Sequence, residues 1–166
     1  MPRKPRKLRP VSPLPPEPQA QSSWALGNSY ASAAVQLMHE SRTETFLPTL
    51  FLFLHALELY LKAFLFSRGV SDSKLRGVSH DLVACMRECH KHGLSKHVVL
   101  SRTAIVQVVR VNRYYFDKEL EYFAPRTKRF GSINALAETV TTVANGVLGP
   151  ITEESFRALS REQPND

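Results

Sequence analysis

From Phe46 to Phe66 the chain is almost wholly apolar, with Leu or Phe at 13 of the 21 positions. The three ionisable residues inside that run, His55, Glu58 and Lys62, recur at spacings of three and four, which places them in one stripe of a helix. A helix that is apolar on its other faces is enclosed by neighbours. Pro48 suits its first turn, and Gly69 suits the left-handed position just past its end near Arg68. Around this central element the pattern predicts four further helices. The first is capped at Ser22 or Ser23 and runs through Trp24, Tyr30, Val35 and Met38 to about Glu40. A polar loop, Val70–Val78, leads to a third helix over about His80–His92. Ser79 is its expected cap, Asp81 lies in its first turn, and Gly93 stops it. Its core face is read as Leu82, Cys85, Met86 and Cys89. A fourth helix starts at Ser95 or Ser101 and reaches Tyr122 before Pro125, with Ile105, Val109, Phe116, Leu120 and Phe123 repeating at helical intervals. A fifth, capped by Ser132, carries Leu136, Val140, Val143 and Val147 and is expected to end by Gly149-Pro150, with a short piece over Glu153–Leu159 beyond it. No alternating strand pattern intervenes. The fold expected is all-α, an antiparallel bundle of about five helices.

Length alone would let Phe46–Phe66 cross a bilayer. Its Leu and Phe residues favour insertion by roughly 6 kcal/mol, while Glu58 and Lys62 near the centre oppose it by about 5 to 7 kcal/mol, and His55 adds to the cost. A core helix of a soluble protein is the expectation, with no membrane partner. The formal net charge of +7 is unevenly distributed. Residues 1–20 hold five basic residues against Glu17, a balance of +4, and seven of the 11 prolines, so that segment buries little apolar surface. The division expected is a disordered basic proline-rich tail over 1–21, the bundle over 22–150 and a short extension over 151–166. The tail suits a nucleic acid, a partner's groove or plain solvent, and it lacks the apolar region of a secretory signal. Cys85 and Cys89 stand one turn apart, and reduced thiols in a cytoplasmic protein are expected.

Several clusters carry chemistry. His55, Glu58 and Lys62, joined by His80 and Asp81 from the third helix, form either a mutually satisfied polar lock or a pocket in which Lys62 and His80 donate to a phosphate or nucleobase. Cys85, Cys89, His92 and His97 lack the spacing of a zinc knuckle, so neither metal nor cofactor is expected. The basic residues Arg102, Arg110, Arg113, Lys118, Arg126, Lys128 and Arg129 interleave with Tyr114, Tyr115, Tyr122 and Phe130, a composition that suits single-stranded RNA, although Asp117, Glu119 and Glu121 interrupt it.

Three segments in order, His55-Ala-Leu-Glu58-Leu-Tyr-Leu-Lys62-Ala63, Ser79-His80-Asp81-Leu82, and Asn112-Arg113-Tyr114-Tyr115 with Glu121-Tyr-Phe-Ala-Pro125, resemble the second, third and fourth helices of the HEPN superfamily, over about residues 22–148. The resemblance implies a small helical bundle, often a homodimer. Many such proteins are metal-independent ribonucleases, often toxins paired with a nucleotidyltransferase-type antitoxin; others bind RNA or nucleotides without catalysis. The ribonuclease branch carries an Arg-x4–6-His motif on its fourth helix. Here Arg87 to His92 fits that spacing but ends the third helix, and no histidine follows His97. The expectation is therefore a non-catalytic module for RNA or a nucleotide-bearing partner, with binding residues His55, Glu58, Lys62, His80, Asp81, Arg110 and Arg113. The alternatives are a ribonuclease using Arg87 and His92, or a protein scaffold without nucleic-acid affinity.

Overall fold

In the computed structural model, residues 16–40, 43–78, 80–121 and 130–161 are described. Among them there are helices and no strands: α1 (Pro16–Glu40), α2 (Phe46–Ser67), α3 (Asp72–Arg76), α4 (Leu82–Lys91), α5 (Arg102–Phe116) and α6 (Ile133–Arg161), with single 3-10 turns at Thr43–Thr45 and Leu94–Lys96. The all-α bundle is as expected. α2 is its axis: Leu50, Phe53, Leu54, Leu57, Tyr60, Leu61, Phe64 and Leu65 are all buried, and α1, α4 and α6 pack around them. This is the one described helix long and apolar enough to cross a membrane, and 72% of its apolar window is buried inside the bundle.

Side chains joining distant turns show the directions of the helices. Thr45 Oγ1 donates to the Leu37 carbonyl and Tyr60 Oη to Asn28 Oδ1 (2.6 Å), so α1 and α2 run antiparallel. Trp24 Nε1 donates to the Ala144 carbonyl (3.2 Å) and Gln21 Nε2 to Ser155 Oγ (2.6 Å), so α6 returns antiparallel to α1. Cys89 Sγ reaches the Leu61 carbonyl from α4, and Gln107 on α5 donates to the Ser132 carbonyl at the entry to α6.

Several boundaries differ from the sequence reading. The first helix begins at Pro16 rather than Ser22 or Ser23, and Ala20, placed in the tail by sequence, is buried at 2% exposure. The tail reading of residues 1–15 lies outside the described residues. The loop over Val70–Val78 contains the short α3. Ser79 also lies outside the described residues; the cap of α4 is Asp81, whose carboxylate accepts from Ala84 N at 2.9 Å. Ser101 and not Ser95 caps α5, accepting from Ala104 N. That helix stops at Phe116, six residues before Tyr122. Lys118 takes the left-handed conformation (φ 57°), the Lys118 N–H donates to the Tyr115 carbonyl, and the Glu119 N–H donates to the Tyr114 carbonyl. Those two bonds form a Schellman end. Gly69 ends α2 in the same way, with φ 76° and bonds from Gly69 and Val70 back to Phe66 and Leu65. Gly93 takes a positive φ after α4 as expected, and Ser132 accepts from Ala135 N at the start of α6.

The largest correction is at Pro150, which does not end the last helix. α6 continues unbroken to Arg161, so Ile133–Arg161 is one element in place of a helix ending by Gly149-Pro150 and a separate short piece over Glu153–Leu159. A helical proline costs about 3 kcal/mol. Burying Ile151 returns about 1.5 to 3 kcal/mol, and the Gln21–Ser155 bond adds to that.

Gly146 is where α6 passes closest to the Leu94–Val98 turn: a Cβ there would stand 2.4 Å from Val98 Cγ2 and 2.6 Å from the His97 carbonyl oxygen, whereas one at Gly149 would meet nothing within 4 Å. Gly146→Ala is expected to destabilise the bundle by about 1 to 3 kcal/mol. Gly149→Ala is expected to leave stability unchanged or raise it by about 0.5 to 1 kcal/mol through helix propensity. Thermal unfolding of the two variants beside the parent checks this; equal melting temperatures for Gly146→Ala and the parent would remove the close approach as a constraint.

Candidate functional site

The polar stripe of α2 faces inward. Glu58 is only 2% exposed, and both of its carboxylate oxygens are occupied. Oε1 accepts from Lys62 Nζ at 2.5 Å, one turn along the same helix. Oε2 accepts from Tyr115 Oη at 2.5 Å, delivered by α5, and from His80 Nδ1 at 3.0 Å, delivered by the segment entering α4. Because the Tyr115 hydroxyl spends its proton on the carboxylate, it accepts from His55 Nδ1 at 2.8 Å. That fixes the proton of both histidines on Nδ1. Rings complete the packing: His55 meets Tyr30 edge-on at 4.5 Å and stacks on Phe51, and His80 meets Tyr115 edge-on.

Burial alone would raise the Glu58 carboxyl, but the nearby His55, 3.7 Å away, and donation from Lys62, Tyr115 and His80 outweigh it and hold the group well below the usual carboxylate range. Burial, and then the charge of Glu58, push the Tyr115 phenol far above its ordinary value. The pair is thus a permanent acceptor and a permanent donor. A carboxylate this acidic is a weak base and a phenol this basic a weak acid, so neither suits proton transfer near neutrality. What remains accessible is the rim, where the side chains of His80, His55 and Lys62 are 41%, 23% and 21% exposed.

Asp81 stands beside this lock without touching Glu58. Its Oδ1 accepts from Asn112 Nδ2 at 3.0 Å as well as from the Ala84 amide, and Asn112 Oδ1 accepts from the Leu82 amide at 2.8 Å. Two side chains thereby satisfy two first-turn amides of α4 and clamp that end onto α5. Of the predicted site residues, the structure brings together His55, Glu58, Lys62 and His80, with Asp81 adjacent. It does not bring in Arg110 and Arg113, which are exposed on the outer side of α5; Arg113 covers the Tyr114 ring at 4.5 Å and donates to its hydroxyl. Tyr115 and Asn112 are the members that sequence reasoning missed as such. Tyr115 had been assigned to a stacking surface, as had Tyr114, and both are buried. Tyr122, Arg126, Lys128 and Arg129 of that surface lie outside the described residues.

Arg87 and His92 both lie at the end of α4. Arg87 is exposed, and His92 Nε2 lies 3.5 Å from Glu88 on its own helix. The thiols and histidines do not form a zinc set either: Cys89 Sγ donates to the Leu61 carbonyl, and His97 meets Arg68. Among the described residues no three His, Cys, Asp or Glu side chains gather as a metal set. On α5 the expected stripe is turned over. Ile105, Val109 and Phe116 are exposed, and the core contacts are made by Val108, Val111 and Tyr115.

Glu58→Gln is expected to cost about 3 to 5 kcal/mol at neutral pH, since it leaves the buried end of the Lys62 pair without its charge. Because the folded carboxyl lies below its ordinary value of 4.5, its contribution is fully present above that pH and is lost as pH falls toward the folded value. Glu88, drawn down to about 2 by Lys91 and Lys74, loses stability in the same direction. Chemical denaturation from pH 7 to pH 3 should therefore show a shallower acid loss in Glu58→Gln than in the parent; parallel curves would show that the buried carboxylate is not the linked group. Set beside models of protein families, curated proteins and solved structures, the chain matches none of them.

Proposed function

We propose that this chain is a non-catalytic HEPN-like module that binds RNA or a nucleotide-bearing partner through its α5 face. The observation that carries the reading is a charge imbalance. Residues 82–116 contain six Lys and Arg residues and a single acid, Glu88, and that acid is held by Lys74 at 3.0 Å and Lys91 at 2.9 Å. Arg102, Arg110 and Arg113 stand exposed along α5 with no carboxylate against them among the described residues. Guanidinium groups in a row on a rigid helix suit a phosphate backbone. Tyr114 and Tyr115 lie inside, so backbone contact and the exposed Phe116 replace the multi-ring stacking surface expected from the sequence.

The HEPN assignment is supported by the way His55, Glu58, Lys62, His80 and Asp81, separated in sequence, gather at one place. The homodimer, the nucleotidyltransferase-type antitoxin partner and the defence setting belong to the same proposal and rest on the resemblance. The non-catalytic part is supported by the saturation of Glu58.

The test is a gel-shift titration of single-stranded RNA by the full chain without metal, run beside a denaturing gel. About three phosphate contacts give a slope near −2 in log affinity against log salt. Arg110→Glu with Arg113→Glu should weaken binding at least about tenfold and flatten that slope. Cleavage abolished by Arg87→Ala would make the protein a ribonuclease; no shift at low salt would leave a scaffold.

A further inference from the structure

α4, the Val98–Leu100 segment and the first half of α5 enclose an apolar groove of about 800 Å3. Its floor is aliphatic, from Val83 and Met86 on α4 to Ile105 and Val109 on α5, and Val99 on its lip is 85% exposed. Its rim carries Arg87, His90 and Lys91. No carboxylate and no Phe, Tyr or Trp ring lines it among the described residues.

We infer that this groove docks an amphipathic helix of another protein, one whose aliphatic stripe is flanked by Asp and Glu. Side chains at i, i+3, i+4 and i+7 of such a helix match a cleft between two helices, and the first half of α5, about eight of its 15 residues, offers about 12 Å of contact, some two turns. Charge complementarity selects the occupant. A second copy would bring the same cation-rich 82–116 face against itself, with six basic residues and one committed acid on each side. The chain's own residues 1–15 carry five basic residues and no acid. Both are repelled by Arg87 and Lys91, whereas carboxylates are attracted. Aliphatic knobs, not bases, fill an aliphatic floor. Arg110 and Arg113 do not line the groove, so RNA binding on the outer side of α5 can fail without touching this inference.

The test uses two fluorescein-labelled synthetic helical peptides with the same leucine stripe, one with glutamate and one with lysine at the flanking positions, titrated with the full chain by fluorescence anisotropy. The glutamate peptide should bind, more tightly at low salt, and the lysine peptide should not. Ile105→Asn with Val109→Asn should weaken the glutamate peptide at least about tenfold, and Arg87→Glu should do so chiefly at low salt. Both substituted floor residues are partly exposed, and circular dichroism confirms that the fold survives. Equal affinity for both peptides, or no loss in the floor variant, would overturn the inference. So would a dimer, seen by sedimentation, that the floor variant dissociates, because the groove would then belong to a second copy. RNA binding lost in the floor variant, with no peptide bound, would assign the groove to nucleic acid.

Discussion

One buried carboxylate sets the arrangement of three helices. Glu58 sits at the axis of the bundle, only 2% exposed, a position that costs several kcal/mol unless its charge is met. Lys62 from its own helix, His80 from the start of α4 and Tyr115 from α5 meet it. Sliding either neighbouring helix by one turn would orphan the charge. Hydrophobic burial holds α1 and α6 to α2 but tolerates many registers; the carboxylate tolerates one. Asp81 and Asn112 add a second fixed point a turn away, so α4 and α5 form a rigid pair on whose outer side the cations and the groove are displayed.

Much of this was legible from the sequence, and what was not has physical causes. The axis helix declared itself through an apolar run on all faces, and its polar stripe through the spacing of 55, 58 and 62. Gly69 and Gly93 announced their helix ends because glycine enters the left-handed region without strain. Lys118 occupies the same kind of position and announces nothing, since a lysine does not mark the left-handed region as glycine does, and its helix end is therefore not visible in the sequence. Pro150 gave the opposite error: a residue that usually ends a helix is carried through because Ile151 and Ser155 have partners on α1. The partial site was legible for a related reason. Local spacing on α2 is visible, whereas the contribution of Tyr115 comes from 57 residues away.

The apolar stripe on α5 misled in an instructive direction. Periodicity finds which residues share a face, not which face turns inward. Ile105 and Val109 share a face with Phe116, and Val108 shares one with Val111 and Tyr115. The second face went inward because it carries the hydroxyl that Glu58 requires. Polar demand at the core thus decided which apolar face remained outside, and so created the groove.

α6 is the last of the described helices to be made, yet it packs on α2 beside α1. Some 85 residues separate Phe66 from Ile151, and at roughly 5 to 20 residues per second of synthesis that is about 4 to 17 seconds. For that interval the most apolar of the described helices has emerged without its final cover. The native arrangement therefore imposes a delay at birth during which α2 is open to chaperones and to aggregation, and it leaves the tie between Gln21 and Ser155 unformed until Ser155 has emerged.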